Sequence, residues 1–255
     1  MLEELAGRGP ILLCLDYDGT ISELASRPGL ARPVEGVVAA LKSLARHGDR
    51  VAVAIVSGRP VAELRRMTGL GHAVMFAGVH GLEIVGRGGE AGGGDVHVPE
   101  DAARCAPELD RVREWLAQNV PAGAGFEVED KRLAVALHYR NAEHAAAAAL
   151  CARFEKFIRG NAPHLRAAHN KMVLEALPAA ASKGHALHAL SREVGPAFLP
   201  VYFGDDRTDE DAFAELVSRG VAVLVGEPRP SLARWRVASP ADAARILTAL
   251  AAALG

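Results

Sequence analysis

Cysteine is scarce in this chain: Cys14, Cys105 and Cys151 are the only three among 255 residues, an odd number without metal-type spacing. That excludes a disulfide framework and a thiolate metal centre, and reduced thiols, most of them in the core, are expected. There is no excess of basic charge either, since 29 Lys and Arg stand against 31 Asp and Glu and are scattered. Nucleic acid is therefore not expected as a partner. No apolar run approaches the length of a membrane span, so no membrane partner is expected. The start, Met1-Leu2-Glu3-Glu4-Leu5, is acidic where a secretion signal is basic, and a cytoplasmic location is the expectation. With 50% hydrophobic and 24% charged residues, the composition is that of a globular protein with one large domain or two modest ones.

The stretch Leu13-Cys14-Leu15-Asp16-Tyr17-Asp18-Gly19-Thr20 organises the rest. An apolar run from Ile11 to Leu15 predicts a buried strand that ends in two carboxylates, a glycine and a hydroxyl. Strand alternation would send Asp16 and Asp18 to one side, where their repulsion is relieved by a divalent cation or by a proton held on one of them. Through about Gly81, strands alternate with helices in the manner of a parallel sheet. A helix is predicted over Pro33 to Ala45, a strand over Val51 to Val56 ending in Ser57-Gly58-Arg59-Pro60, a helix over Val61 to Met67, and a strand over Val74 to Ala77 ending in Gly78-Val79-His80-Gly81. In open parallel sheets, ligands bind beyond the carboxyl ends of the strands, so these endings share one rim. Ser57 alone also reads as a helix N-cap, and His80 as a structural hydrogen-bonding residue.

The glycine cluster from Gly86 to Gly94 has neither a strand feeding it nor a Gly-Lys-Ser/Thr ending, so it reads as a linker or hairpin tip and not as a phosphate loop. Beyond it the order becomes helix (Ala102 to Asn119), two strands around a charged turn at Glu129-Asp130-Lys131-Arg132, helix (Glu143 to Ile158), and a second hairpin around Asn170-Lys171. This is an inserted α+β unit. Glu175, amid Val173, Leu174 and Leu177, is a carboxylate in an apolar strand and needs a partner.

The first texture then returns. Ser182 is placed as the N-cap of a helix whose first-turn Lys183 opposes the helix dipole, which is favourable only beside an anion. A strand from Phe198 to Phe203 leads into Gly204-Asp205-Asp206-Arg207-Thr208-Asp209-Glu210-Asp211, with Thr208 and Asp211 spaced as a capping box. Capping leaves Asp205 and Asp206 unexplained, and a hard cation would explain them. A strand over Ala222 to Gly226 and a helix from Pro240 to Leu254 close the chain. Carboxylates from two strands, a hydroxyl and one lysine on a single rim suit Mg²⁺ and phosphoryl transfer, with an aspartate as nucleophile and a second acid for proton transfer.

Asp16-Tyr17-Asp18-Gly19-Thr20, Ser57-Gly58-Arg59, Lys183-Gly184 and Gly204-Asp205-Asp206-Arg207-Thr208-Asp209 resemble, in order, the four motifs of the haloacid dehalogenase superfamily of phosphatases. The Thr208-Asp209-Glu210-Asp211 continuation and Ala77-Gly78-Val79-His80-Gly81 are similar to trehalose-6-phosphate phosphatases in particular. The resemblance implies an α/β fold with a Rossmann-like core, a parallel sheet with helices on both faces, built from residues 1–100 and 179–255, and a C2-type α+β cap over 101–178. It implies Mg²⁺-dependent hydrolysis of trehalose 6-phosphate through an aspartyl-phosphate, the last step of trehalose biosynthesis, by a monomer. Asp16 would be the nucleophile and Asp18 the acid/base, with Thr20, Ser57 and Lys183 completing the catalytic set. Asp16, Asp18 (through its carbonyl), Asp205, Asp206 and Asp209 would form the metal site. Ser57, Gly58 and Arg59 would contact the phosphoryl end of the substrate, and Glu129, Lys131, Arg140 and Glu175 the sugar. Two alternatives remain on the residues alone: a phosphatase for a sucrose or mannosylglycerate phosphate, which would differ in the cap, and a signalling module that carries a phosphorylated aspartate, which would need neither a cap nor Asp18.

Overall fold

The computed structural model describes residues 9–25, 28–88, 96–170 and 172–254. The acidic start, the glycine cluster from residue 89 on, and Lys171 of the second hairpin lie outside the described residues. The chain divides into two compact units, one of Met1–His97 with Ser182–Gly255 and one of Val98–Ala181. No described helix is long and apolar enough to cross a membrane.

In the first unit the continuous apolar runs become strands buried on both faces, as parallel sheets require. With strands and helices numbered in chain order across both units, β1 (Ile11–Leu15), β2 (Val51–Val56), β3 (Met75–Gly78), β4 (Glu83–Val85), β9 (Leu199–Gly204), β10 (Val221–Val225) and β11 (Trp235–Val237) form a sheet ordered β11-β10-β9-β1-β2-β3-β4. All neighbours are parallel except β4 on β3. Alternation sorts the side chains. Leu13, Leu15, Val53 and Ile55 pack on one face against α1 (Val37–Arg46), α2 (Val61–Thr68) and α8 (Pro240–Leu254). Leu12, Cys14, Ala52 and Ala54 pack on the other against α6 (Lys183–Val194) and α7 (Glu210–Leu216). From β1 the chain steps outward through β2 and β3; from β9 it steps the opposite way through β10 and β11. The boundary between β1 and β9 is therefore the topological switch point, where the loops at the carboxyl ends diverge and leave a crevice.

The second unit has an antiparallel sheet ordered β5-β6-β8-β7, from β5 (Glu127–Asp130), β6 (Val135–His138), β7 (Leu165–Asn170) and β8 (Val173–Pro178). A short helix α3 (Glu100–Ala103) precedes α4 (Ala106–Asn119), and α5 (His144–Asn161) follows β6. Val135, Leu137, Leu174 and Ala176 pack with Leu109, Val112, Leu116, Phe154 and Ile158 of α4 and α5. Trp115 stacks on Phe154 at 5.4 Å and on Phe157 at 5.2 Å. The register sets Glu129, Ala136, Glu175 and Ala168 in one row across the four strands.

Several boundaries differ from expectation for local reasons. The first helix begins at Val37, not Pro33, because Gly36 is left-handed at φ 81° and ends the preceding turn. The helix expected over Ala102 to Asn119 breaks at Arg104-Cys105, and Pro107 sits in the first turn of α4, where its missing N–H costs nothing. Glu129 and Asp130 belong to β5 and not to the turn, which falls at residues 131–134. There Arg132 is left-handed and its N–H is held by Asp130 Oδ1 at 2.8 Å. The capping box is made by Asp206 and Asp209 around the 3-10 turn Arg207–Asp209, not by Thr208 and Asp211. The edge strands β4 and β11, three residues each, were not expected at all.

Candidate active site

β1 ends at Leu15, and the Asp16 N–H continues its pairing with β9 by donating to the Phe203 carbonyl at 2.9 Å. This anchors Asp16 at the switch point. Asp16 is 4% exposed, and Lys183 Nζ lies 3.1 Å from its Oδ2. Lys183 is itself 3% exposed, in the first turn of α6, which Ser182 caps by accepting from the Gly184 N–H. The anion that its position requires is a pair of aspartates, because Nζ also reaches Asp209 Oδ1 at 2.7 Å. Burial raises the Asp16 carboxyl well above its ordinary range; Lys183 pulls it down, and the charges of Asp209, Asp205 and Asp18 push it up. Lys183 titrates above its usual value because the attraction of Asp16 and Asp209 outweighs the cost of burial.

Asp209 is a scaffold. Its Oδ1 accepts from Lys183 and from the Tyr202 hydroxyl at 2.9 Å, and its Oδ2 accepts from the N–H groups of Asp205 at 3.0 Å and Asp206 at 2.9 Å. Four donors match the four lone-pair sites of a carboxylate. Asp16, Asp205 and Asp209 bring carboxylate oxygens within 4.8 Å of one another. Asp209 is satisfied by these donors, and Asp16 and Asp205 are the other two carboxylates of the cluster. Two carboxylates that leave room for water and phosphate oxygens are the donor set that suits Mg²⁺. Asp18 and Asp206 are not part of this cluster: Asp206 Oδ1 accepts from the Arg207 N–H, and Asp18 pairs with Arg59. Asp16 and Asp18 thus go to different partners, since β1 has ended before them and strand alternation no longer applies.

Gly19 leaves room for this arrangement. It is left-handed at φ 80°, and a Cβ there would stand 2.2 Å from Asp205 Oδ2. Gly19→Ala is expected to displace Asp205 and to cost roughly 1–3 kcal/mol through the left-handed backbone. The check is a melting curve with and without MgCl₂; a metal-induced rise in Tm as large as that of the unsubstituted chain would refute the role given to Gly19.

On the neighbouring strand, Ser57 leaves the end of β2 beside β1, buried, with its Oγ accepting from the Arg59 N–H at 3.2 Å. A turn of three consecutive left-handed residues, Val79, His80 and Gly81, braces it. The His80 N–H donates to the Ser57 carbonyl at 3.0 Å and the Val79 N–H to the Arg59 carbonyl at 2.9 Å. The His80 ring lies where a Gly58 Cβ would be, 2.6 Å from its Nε2. A β-branched residue at φ 47° is strained, and such strain persists only where surrounding contacts impose it. Thr20 is fully buried, and its hydroxyl makes no hydrogen bond among the described residues.

In the second unit, Lys131 Nζ meets Glu175 Oε1 at 2.9 Å, and Glu175 has no exposed surface. The partner that Glu175 required is thus Lys131. Glu129 Oε2 is 2.8 Å from His138 Nε2, and although burial pushes the Glu129 carboxyl up, the His138 hydrogen bond and the Lys131 charge hold it below its ordinary value. Arg140 is exposed in the turn after β6.

Three residues were not singled out from sequence. Tyr202 and His138 are polar tips in strands, a signal that could have been used. Arg229 reaches the Asp206 carbonyl at 2.8 Å and Glu210 Oε1 at 2.5 Å across a long separation in sequence, and so pins the acidic loop from outside.

Residues 14–241 match the family profile described as trehalose-phosphatase. Across 97% of its length the chain is 37% identical to a trehalose-phosphate phosphatase of Mycolicibacterium paratuberculosis, of which it spans 63%. It is 30% identical to a probable trehalose-phosphate phosphatase of Oryza sativa subsp. japonica, again over 97% of the chain and over 68% of that protein. The C-terminal domain of the Candida albicans trehalose-6-phosphate phosphatase shares the fold, with a TM-score of 0.84 at 20% identity over 98% of this chain and 96% of that one. The chain is therefore a member of the trehalose-phosphatase family.

Proposed function

We propose that this chain is a Mg²⁺-dependent phosphatase that hydrolyses trehalose 6-phosphate to trehalose and phosphate, the last step of trehalose biosynthesis. The observation that carries this reading is the buried Asp16, held between Lys183 and the Asp205–Asp209 carboxylates at the switch point of the sheet. A carboxylate fixed beside the other oxygens of a candidate cation site is suited to act as a nucleophile on phosphorus.

Asp16 Oδ attacks the phosphorus as the bond to the sugar oxygen breaks, giving an aspartyl-phosphate. Asp18 gives a proton to the departing oxygen. It then takes one from the water that cleaves the acyl phosphate, which restores Asp16 and releases inorganic phosphate. Asp16, Asp205 and the Asp18 carbonyl would hold Mg²⁺, which when bound would supply positive charge to the phosphoryl oxygens, and Asp206 and Asp209 would support the loop. Lys183, Ser57 and the Gly58 backbone would hold the equatorial oxygens, and Thr20 would join them with its buried hydroxyl. Glu129, Lys131, Arg140 and Glu175 would hydrogen-bond the sugar hydroxyls in the second unit, which would serve as a cap.

The direct experiment is phosphate release from trehalose 6-phosphate, glucose 6-phosphate and sucrose 6-phosphate, each with Mg²⁺ and with excess EDTA. Metal-dependent turnover confined largely to the trehalose ester is expected. Equal rates on all three would keep the phosphatase and remove the sugar assignment, and no release from any would overturn both. Within the same panel, Glu175→Gln keeps the shape but removes a charged hydrogen-bond acceptor, an interaction worth roughly 1.5–3 kcal/mol. A loss of about 10- to 100-fold in kcat/KM on trehalose 6-phosphate is expected, with a much smaller loss on glucose 6-phosphate; equal losses would remove Glu175 from the sugar site.

A further inference from the structure

Building on the phosphatase reading above, we infer that Arg59 is a positioning residue that fixes the orientation of Asp18, and is not a ligand of the phosphoryl group. Its guanidinium forms a two-pronged contact with both carboxylate oxygens, Nε to Asp18 Oδ2 at 2.6 Å and Nη2 to Asp18 Oδ1 at 2.8 Å. The third nitrogen, Nη1, meets Glu63 Oε1 at 2.5 Å. The guanidinium lies over the Tyr17 ring, its Cζ 5.5 Å from the centroid. The Arg59 backbone is fixed at both ends, its N–H on Ser57 Oγ and its carbonyl on the Val79 N–H. Asp18, by contrast, stands in a turn beyond the end of β1 with about a third of its side chain exposed. Without the fork, its carboxylate would rotate freely.

Charge and lone pairs point the same way. Two carboxylates surround one guanidinium, so the group carries a net negative charge, and a phosphate dianion gains nothing by replacing either acid. The fork takes one lone pair from each Asp18 oxygen and leaves one on each, so its plane is held while both oxygens keep a free acceptor position. Lysine, a point charge on a flexible stem, could supply the charge but not the plane.

The test separates leaving groups. kcat/KM reports the step up to departure of the alcohol, which needs a proton when the alcohol is a sugar and scarcely needs one when it is p-nitrophenol. Trehalose 6-phosphate and p-nitrophenyl phosphate are compared for the full chain and for Arg59→Gln, Arg59→Lys and Glu63→Gln. Arg59→Gln is expected to lower kcat/KM on the sugar ester roughly 100-fold, the low end of general-acid effects, and on the nitrophenyl ester by less than about threefold. Arg59→Lys should restore little of the loss. Glu63→Gln should show the same dependence on ester at smaller amplitude, and it provides the test if Arg59→Gln does not fold. Asp18→Asn with Arg59→Gln should be no slower than Asp18→Asn alone. Equal losses on both esters, full rescue by lysine, or additive losses in the double variant would overturn the inference and return Arg59 to the phosphate. Failure of the phosphatase reading would show separately, as absence of metal-dependent turnover of either ester by the unsubstituted chain, and would take the inference down with it.

Discussion

Asp16→Asn is expected to release no measurable phosphate from trehalose 6-phosphate, a loss of at least about 10⁴-fold or roughly 5 kcal/mol of transition-state stabilisation, while melting at a higher temperature than the unsubstituted chain in the absence of metal. The two halves have one cause. The amide cannot form the acyl phosphate, so the chemical step has no nucleophile. The carboxylate it replaces is buried among Asp209, Asp205 and Asp18 with only Lys183 opposing them, and its proton affinity is raised in the folded chain. An acid whose folded pKa lies above its unfolded value weakens the fold as pH climbs past about 3.9, the unfolded value, and the penalty is complete above the folded one. Removing the charge removes that penalty. The gain in Tm should therefore shrink as the pH is lowered toward 4, and MgCl₂ should raise the Tm of the unsubstituted chain more than that of the variant. Loss of activity together with a lower Tm would mean that Asp16 is needed for folding, and the nucleophile assignment would lose its support.

Lys183→Met should do the reverse, losing activity and stability together. The methionine fills the space of the stem but leaves Asp16 and Asp209 buried without their shared cation. Breaking a buried ion pair on one side costs about 3–5 kcal/mol. At about 2–4 °C per kcal/mol for a chain of this size, the Tm should fall by roughly 6–20 °C at pH 7. The sign with pH is opposite for the two partners. The lysine's folded pKa is raised, so its contribution is complete below its unfolded value of about 10.4 and fades only as the solution becomes alkaline enough to deprotonate it in the folded chain. The variant, with two uncompensated carboxylates, should recover part of its loss on acidification. A variant within 1 °C of the unsubstituted chain at neutral pH would show that the pair contributes nothing to stability.

The residues proposed here as catalytic stand out in the sequence because each is a short local signal: a buried strand that ends in charge, or a lysine in a helix turn where the dipole disfavours it. Lys183 was the clearest case, and the structure supplies the anions that its position required. What sequence concealed were pairings between distant residues. Arg59 with Asp18, Arg229 with the Asp205–Asp206 carbonyls, and Tyr202 with Asp209 leave no periodic trace. The capping box was misplaced because Thr208 is a good capping residue on local grounds, whereas the extended backbone at Asp206 decides where the turn begins. The parallel sheet could be read from texture; the three-residue edges β4 and β11 could not, since periodicity needs more than three residues to register.

The adjacency of β1 and β9 has a consequence for how the chain folds. Ile11 pairs with Leu199, so the central seam of the large sheet joins segments far apart along the chain. During synthesis, β1, β2 and β3 can assemble early, but one edge of β1 has no neighbour until β9 emerges, and an uncovered apolar edge invites pairing with other chains. The whole of Val98–Ala181 lies between them as a contiguous unit with its own core. If that unit folds before β9 arrives, it shortens the effective loop that the seam has to close, and loop entropy rises only slowly with what remains. Substitutions that loosen the Trp115, Phe154 and Phe157 stack should then lower the yield of soluble chain on refolding more than they lower the melting temperature of chain already folded.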